Sequence, residues 1–275
     1  ALPQLYLKDI FGLDEEKAQR SMDRNINAGI DKLRTFQLSN GGFSYWPNGN
    51  EVNLWGTNYA GHFMIEANKM GYYVPEDMYS QWIEFQKGKS RTTSDPSLTN
   101  IYRVYLLALA DEPAIGAMNL LYESYLKEMS NTERWLLAAS YELIGEGQIA
   151  QGIVKDAELT VKDYTEFAGT YGSALRDKAM ILECLTVMED PDREIVLYKE
   201  IAESLSENRW YSTQTIAYSL LAIGKYFRAN PEGDEIMEGE IFLPGGEKLK
   251  FKTDEPAYTL PITQGFGQEL EVIIH

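Results

Sequence analysis

The feature that most constrains the fold of this chain is a helical repeat with a period of about 40 residues. Segments that are apolar on most of their circumference alternate with segments that have a single apolar face. A helix that is apolar all round is buried, whereas a helix with one apolar stripe lies at a surface. The pattern predicts inner helices that begin near Trp55, Ser97, Thr132, Ser173 and Ser212, with outer helices near 75–89, 113–128, 148–158 and 192–207.

Two architectures fit this alternation, an open solenoid and a closed α/α toroid in which the inner helices form the hub. The loops before the inner helices favour the toroid, because aromatic and glycine-rich turns recur there: "GGFSYWPNGNEVNLW", "FAGTYGS" and "NRWYST". In a toroid these loops meet at one end of the hub. We expect Phe43, Tyr45 and Trp46 to plug that end, each ring burying about 150–250 Å².

Helix starts can be read from residues that cap helix amino termini. The first outer helix is predicted from Asp14 to Gln37, with Ile26, Ile30 and Leu33 on its apolar stripe. Further starts are predicted at Asp95-Pro96, Asp190-Pro191, the capping box Ser130-x-x-Glu133, Ser173 and Ser212.

The two ends of the chain differ from this repeat. A toroid with six helix pairs needs one more inner helix, and "ALPQLYLKDIFG" suits only its carboxyl-terminal part, so this helix is expected to start before Ala1. After Pro231, "GEIFLPGG", "EKLKFKT", "AYTLPIT" and "QELEVIIH" read as short strands. The predicted domains are a toroid at 1–232 and, at 233–275, an incomplete part of a CUB-like or macroglobulin-like β-domain.

Composition excludes several functions. A net charge of −17 argues against nucleic-acid binding, which depends on phosphate neutralisation by Lys and Arg. The apolar runs are too short for a membrane span. Cys184 lies in the apolar segment "MILECLTVM" and is expected to be buried and inert. Because His62 and His275 are the only histidines, a histidine-based zinc site is not expected, and no cofactor is predicted.

The search for catalytic motifs leaves few candidates. The sequence has no phosphate-binding glycine loop and no nucleophile elbow. His62 and Glu66 share a helix face but lack a third ligand, so His62 is expected to be a hydrogen-bonded histidine of the hub. Many α/α toroids are glycoside hydrolases that use two carboxylates. Sequence does not select such a pair, although Asp177 is a candidate buried carboxylate.

The segment Gln37-x-x-x-Gly41-Gly42-Phe43 resembles a motif of terpene cyclases and prenyltransferases, which helps to hold the repeats of their toroids together. This resemblance supports a toroid of about six helix hairpins. The zinc-binding and substrate-ionising motifs of those enzymes are not visible here.

An ordered set of longer motifs resembles the thioester domain of bacterial alpha-2-macroglobulins. The segments are "ALPQLYLKDIFGL" (1–13), "FQLSNGGFSYWPNG" (36–49), "LWGTNYAGHFMIEANKMGYYVP" (54–75), "DPSLTNIYRVYLLALA" (95–110) and "WYSTQTIAYSLLA" (210–222). The resemblance implies a non-enzymatic inhibitor that traps attacking proteases, in the periplasm or cell envelope of a Gram-negative bacterium, as part of a lipoprotein. Its partners would be target proteases and other domains of the same chain, with membrane contact only through a lipid anchor elsewhere.

In this family a Cys-x-Glu-Gln motif forms the thioester and lies just before the segment that resembles Ala1–Asp9. The resemblance therefore places the thioester residues before Ala1, and Cys184 does not match the motif. His62 does not match the histidine that steers acyl transfer in the complement branch. The residues expected to have binding or structural roles at the hub are Gln37, Gly41, Gly42, Phe43, Trp46, Trp55, Tyr59, His62 and Trp210.

Two alternatives remain open at the level of sequence. Some bacterial relatives lack the thioester, and such a protein would act as a scaffold or a partner-binding module. The third hypothesis is a carbohydrate-active toroid enzyme, which would need an aromatic groove and an accessible acidic pair at the mouth of the hub.

Overall fold

The computed structural model of the chain describes residues 1–11, 16–230, 237–243, 248–253, 269 and 271–274. These residues are mostly helical, and a small antiparallel sheet follows the helices. A 3-10 helix at Leu2–Tyr6 leads directly into α1. The α-helices are α1 Leu7–Phe11, α2 Glu16–Leu33, α3 Leu54–Lys69, α4 Glu76–Ser90, α5 Leu98–Leu109, α6 Ile115–Tyr125, α7 Asn131–Leu143, α8 Gly147–Val154, α9 Ala174–Val187, α10 Pro191–Ser206 and α11 Thr213–Ala229.

The inner helices form a closed ring. Helix α3 contacts α5, α5 contacts α7, α7 contacts α9, and α9 contacts α11. The 3-10 helix Leu2–Tyr6 closes the ring, because it contacts both α11 and α3. The predicted toroid is therefore confirmed, and the first segment of the chain takes the sixth inner position.

The remaining helices pack around this ring. Helix α4 lies against α3 and α5, α6 against α5 and α7, α8 against α7, and α10 against α9 and α11. Helix α2 contacts α3 and the 3-10 helix, burying Ile26 and Ile30, while Leu33 is half-buried. It begins at Glu16 among the described residues, and the predicted start at Asp14 lies outside them. The predicted helix at 148–158 ends earlier, at Val154.

Capping side chains explain the starts of several helices. Ser130 and Glu133 form the predicted capping box of α7, and the side chains of Ser173 and Ser212 accept backbone hydrogen bonds at α9 and α11. Asp190 likewise caps α10, with Pro191 at its first position. These four predictions are confirmed.

The predicted cap at Asp95-Pro96 is wrong. Asp95 Oδ1 accepts from the Ser97 backbone N–H at 3.0 Å, which makes a turn before the helix. Ser97 is the residue that precedes α5, and the helix begins at Leu98. The carboxylate and the proline therefore belong to the approach to α5 rather than to its first turn.

The described part of the carboxyl-terminal region contains three strands, β1 Met237–Phe242, β2 Lys248–Thr253 and β3 Glu271–Ile274. Strand β1 is central and pairs antiparallel with both others, so that Gly239 lies opposite Phe251 on one side and Ile274 on the other. The predicted strands near 239–246, 247–253 and 268–275 are confirmed at 239–242, 248–253 and 271–274. The strand predicted for "AYTLPIT" and the domain boundary at 232 lie outside the described residues.

None of the described helices is both long and apolar enough to cross a membrane.

Candidate functional site

The mouth of the ring, where the inner helices begin, contains an apolar pocket of about 340 Å³. Its walls come from α2, α3 and the loop before α3, and include Phe36, Phe43, Tyr45 and Tyr59. Ala1 also lines the pocket and packs so closely on Gly29 that an added Cβ there would lie 2.8 Å from the Ala1 Cβ. The pocket therefore lies where the first segment enters the ring.

The loop at 37–53 holds this pocket in place. Gln37 Nε2 donates to the Met78 carbonyl of α4 at 2.8 Å. Gly41 has a φ of +85° and lies against the backbone of α4, where a Cβ would be 2.0 Å from the Gln81 carbonyl oxygen. Only glycine tolerates both conditions. The segment from Gln37 to Phe43 thus joins one helix hairpin to the next, as the motif resemblance implied.

The aromatic residues of this loop have opposite environments. Phe43 is buried, and its backbone N–H donates to Thr57 Oγ1 at 2.9 Å. Trp46 is 71% exposed and Tyr45 is 45% exposed. The prediction that all three rings plug the hub is therefore wrong for Trp46 and Tyr45, because the chain turns outward after Ser44, whose hydroxyl is bound by backbone carbonyls of the loop.

The exposed rings of Tyr45, Trp46, Phe167 and Trp210, with the half-buried Tyr171, are here called the aromatic patch at the mouth. Tyr45 and Tyr171 join two loops through their hydroxyls at 2.6 Å. Phe167 stacks on Trp210 with ring centroids 6.4 Å apart, and these rings are 77% and 72% exposed. The aromatic loops do meet at one end of the ring, but Trp210 lies on its surface rather than in a plug.

Below the mouth, inside the ring, lies a cluster of ionisable residues, here called the hub cluster: Tyr6, His62, Glu66, Glu183 and Lys225. Lys225 Nζ is 2.6 Å from Glu66 Oε1 and 2.6 Å from Glu183 Oε1. His62 Nε2 lies 3.1 Å from Glu183 Oε1 and 3.6 Å from Glu66 Oε1. The ring N–H is aligned on neither oxygen, so the contact is an ion pair when His62 is protonated, without a directed hydrogen bond.

Hydrogen bonds from tyrosines complete the hub cluster. Tyr6 donates to Glu66 Oε2, and Tyr105 donates to Glu183 Oε1 at 2.9 Å. His62 Nδ1 is 2.7 Å from the Tyr102 hydroxyl, which accepts from Tyr218. The expectation that His62 is a hydrogen-bonded histidine of the hub is confirmed.

The charged groups of the hub cluster shift one another's pKa values. Burial opposes ionisation of Glu183, but Lys225 and His62 outweigh it and lower the pKa of Glu183 to about 2. The pKa of Glu66 also lies well below its ordinary value, because Lys225 and His62 overcome the effect of burial. Burial lowers the pKa of His62, yet the neighbouring Glu183 carboxylate raises it above 6.5 overall. Two carboxylates thus face the Lys225 ammonium and the His62 ring, and protonation of His62 balances the charge of this buried site.

The hub cluster brings together a set of residues that sequence did not identify. Ligand-type atoms of His62, Glu66 and Glu183 lie within 4.8 Å of one another, so the structure supplies the third group that the His62–Glu66 pair lacked. The ammonium of Lys225 takes the position between both carboxylates that a cation would need. We therefore interpret these residues as a structural ion cluster rather than a metal site.

Sequence contains a usable signal for this cluster. Glu66, Glu183 and Lys225 are isolated charged residues in helices that are otherwise apolar on most faces, as in "MILECL" and "LLAIGKYF". A charge on a helix that is buried all round needs a partner of opposite sign inside the hub. Which charges pair depends on ring closure across α3, α9 and α11, and this pairing is not local in sequence.

The other predicted residues lie in the wall of the ring. Trp55 is buried, with the Arg176 guanidinium 4.6 Å from its ring centroid. Arg176 Nε also binds the buried carboxylate of Asp177 at 2.7 Å. Tyr59 is half-buried beside Tyr218. Cys184 is fully buried, and burial raises the pKa of its thiol, as expected for an inert cysteine.

The sequence was compared with known proteins. No protein-family model matches it. It is 27% identical over 229 residues to the alpha-2-macroglobulin of Escherichia coli strain K12, and this match includes 77% of the chain and 13% of the relative's length. The chain thus spans about an eighth of the curated relative.

Solved structures of bacterial alpha-2-macroglobulins have the same fold. Salmonella alpha-2-macroglobulin reacted with methylamine matches 92% of this chain and 17% of its own, with a TM-score of 0.74 at 22% identity. Native E. coli alpha-2-macroglobulin from domain MG7 to the C-terminus matches 99% of this chain and 42% of its own, with a TM-score of 0.72 at 20% identity. The E. coli protein activated by porcine elastase matches 100% of this chain and 24% of its own, with a TM-score of 0.68 at 21% identity.

The sequence match and the structural matches are all to bacterial alpha-2-macroglobulins, and one matched structure spans domain MG7 to the C-terminus. The chain is therefore a homologue of bacterial alpha-2-macroglobulin and has the fold of that protein's carboxyl-terminal region.

Proposed function

We propose that this chain is the thioester-type domain of a bacterial alpha-2-macroglobulin-like protein that traps attacking proteases and does not itself catalyse a reaction. The observation that carries the proposal is the 27% identity to E. coli alpha-2-macroglobulin over 229 residues. Relatives of this fold have been studied after reaction with methylamine and after activation by elastase, which supports both an amine-reactive group and protease targets.

The mouth of the ring supports a more specific role. In a longer chain, the residues before Ala1 would emerge at the apolar pocket lined by Phe36, Phe43 and Tyr59. A thioester needs an acyl carbon that is shielded from water until the attacking amine or hydroxyl arrives. We propose that this pocket shields a Cys–Gln thioester carried by those residues. Attack on the carbonyl would form an amide or ester and release the cysteine as a thiolate.

The proposal includes a location and partners. We propose that the whole protein acts outside the cytoplasm, in the periplasm or cell envelope, and that a lipid anchor elsewhere in it provides any membrane attachment. Its partners would be target proteases and the other domains of the same polypeptide. The toroid at 1–232 and the β-region at 233–275 would then belong to adjacent domains of that polypeptide.

A second candidate within the same family is a non-covalent, partner-binding scaffold without a thioester. The aromatic patch favours it, because exposed apolar groups that cluster in this way mark interaction surfaces. The carbohydrate-active enzyme hypothesis has no such support. Glu66 and Glu183 are 1% and 2% exposed and are bound by Lys225, so a substrate cannot reach them.

Thiol titration of the full-length protein before and after methylamine treatment tests the proposal. Because Cys184 is buried, it should not react with a thiol reagent in the native protein. One new thiol per chain, with one methylamine incorporated, is the expected result. The same release from a Cys184→Ala variant would show that the new thiol is not Cys184. No release from folded protein would favour the scaffold without a thioester.

A further inference from the structure

The first inner segment is too short to hold its position through its own hydrogen bonds. It consists of the five-residue 3-10 helix Leu2–Tyr6 and the five-residue helix α1. Isolated helices of fewer than about 12–15 residues are marginal in water. The side chains of this segment must therefore hold it in the ring.

Tyr6 connects this segment to the hub cluster. Its hydroxyl donates to Glu66 Oε2 in the hub cluster. Its Cβ lies in a notch at Gly224 of α11, where an added Cβ would be 2.2 Å away. The Arg228 guanidinium covers the ring, 5.3 Å from its centroid, and Arg228 also pairs with Asp9 of α1 at 3.3 Å.

Tyr6 also closes the hub cluster from the side of the first segment. The other members and their tyrosine partners belong to α3, α5, α9 and α11, which are long helices of the ring. If Tyr6 left its position, Glu66 would lose a donor in a site where Lys225 is its remaining hydrogen-bonded partner. Losing one partner of a buried charged group costs more than the average hydrogen bond contributes.

We propose that Tyr6 is a positioning residue, whose hydrogen bond to Glu66 fixes the first segment in the ring and so sets the position of Ala1 at the apolar pocket. This hydrogen bond between Tyr6 and Glu66, here called the latch, holds the first segment whether or not a thioester is present. Its consequence for reactivity rests on the proposed function, because only then do the residues held at the pocket carry the reactive bond.

Amide hydrogen exchange, measured by mass spectrometry on the purified protein, tests the latch with two matched variants. Tyr6→Phe and Tyr105→Phe each remove one buried phenol hydroxyl that donates to a carboxylate of the hub cluster. The two residues differ in location, because Tyr6 belongs to the short first segment and Tyr105 belongs to the long helix α5. We expect Tyr6→Phe to speed exchange of residues 4–11 by about 10- to 100-fold relative to α7, as expected when a hydrogen bond to a charged group is lost. Tyr105→Phe should leave the ratio between these two regions within about threefold of the wild-type value.

Two results would overturn the proposal: unchanged exchange of residues 4–11 in Tyr6→Phe, or an equal increase throughout the chain in both variants. If Tyr6→Phe does not fold, Arg228→Gln serves as the second variant, because Arg228 is half-exposed and lies outside the hub cluster, where it contacts the Tyr6 ring, Asp9 and the Met70 sulfur. It should also speed exchange of residues 4–11 selectively, and no selective change would count against the latch. Exchange is measured without any thioester reaction, so failure of the latch and failure of the protease-trap proposal are separate results.

Discussion

Phe43 and Trp46 lie three residues apart in one loop but have opposite environments. Phe43 is 2% exposed and packs in the core, whereas Trp46 is 71% exposed. We predict that Phe43→Ala destabilises the protein by about 3–5 kcal/mol, which is typical for removal of a buried aromatic ring. Trp46→Ala should change stability by no more than about 0.5 kcal/mol. Chemical denaturation of both variants measures the difference, and similar values would contradict the structure of this loop.

His62 makes the stability of the ring depend on pH. Its pKa is raised in the folded state, so its contribution is complete below the unfolded value of 6.5 and is lost as pH rises through the folded value. Glu66 and Glu183 act in the opposite sense, because their lowered pKa values give a contribution that is lost as pH falls below about 4.5. The hub cluster should therefore stabilise the fold most between about pH 4.5 and 6.5.

We predict that His62→Gln removes the loss of stability that the His62 interaction causes as pH rises above about 6.5. The difference in free energy of unfolding between wild type and His62→Gln should be larger at pH 5.5 than at pH 8.5. Urea denaturation at several pH values measures it. If the difference is the same at every pH, His62 does not gain a proton-linked interaction on folding.

Residue roles were predicted where the signal was local. The burial of Cys184 and the hub position of His62 follow from apolar neighbours on a single helix, whereas the buried carboxylate of Asp177 was predicted from the adjacent Arg176. The partners of His62 did not follow, because Glu183 and Lys225 reach it only after ring closure. The exposure of Trp46 was also missed, because the direction of the loop after Ser44 depends on hydrogen bonds from the Ser44 hydroxyl to the Phe36 and Trp46 carbonyls, which no sequence pattern predicts.

At the scale of the elements, Gly41 and Gly71 provide a matched pair. Both have positive φ, +85° and +84°, but an added Cβ at Gly41 would clash with the backbone of α4, whereas Gly71 has open space. We predict that Gly71→Ala costs about 1–2 kcal/mol from backbone strain alone. Gly41→Ala should cost about 3 kcal/mol or more, because the loop must also move away from α4. Thermal unfolding compares them, and equal losses would mean that the loop does not clamp α4.

Helix positions followed closely from sequence because their signals are periodic and local. Ser130, Ser173 and Ser212 each precede a helix that is apolar on most faces, and each caps that helix in the structure. The prediction of Asp95 as a cap was wrong because Asp, Pro and Ser in succession are compatible with two structures. In one, Asp95 caps the helix; in the other, Asp95 makes a turn before it. Local sequence does not decide between them.

At the scale of the whole molecule, the period of the inner helices and the aromatic loops predicted a closed ring, and the contacts of Leu2–Tyr6 with α3 and α11 complete it. The position of the aromatic patch at the mouth was predicted from sequence, but the exposure of its rings was not. The chain spans 13% of the E. coli relative's length, so the activity of a whole protein remains a proposal. That proposal concerns the residues that precede Ala1 in a longer chain.

The most direct test is to map a covalent product. The full-length protein would be incubated with elastase, and any SDS-stable conjugate would be isolated and its linked peptide identified by mass spectrometry. We predict a conjugate joined through a glutamine-derived acyl group in the residues just before Ala1. Protein treated with methylamine before elastase is added should form no conjugate, because the amine consumes the thioester first. A folded protein that is cleaved by elastase but forms no conjugate, or one joined elsewhere, would contradict the proposed trap.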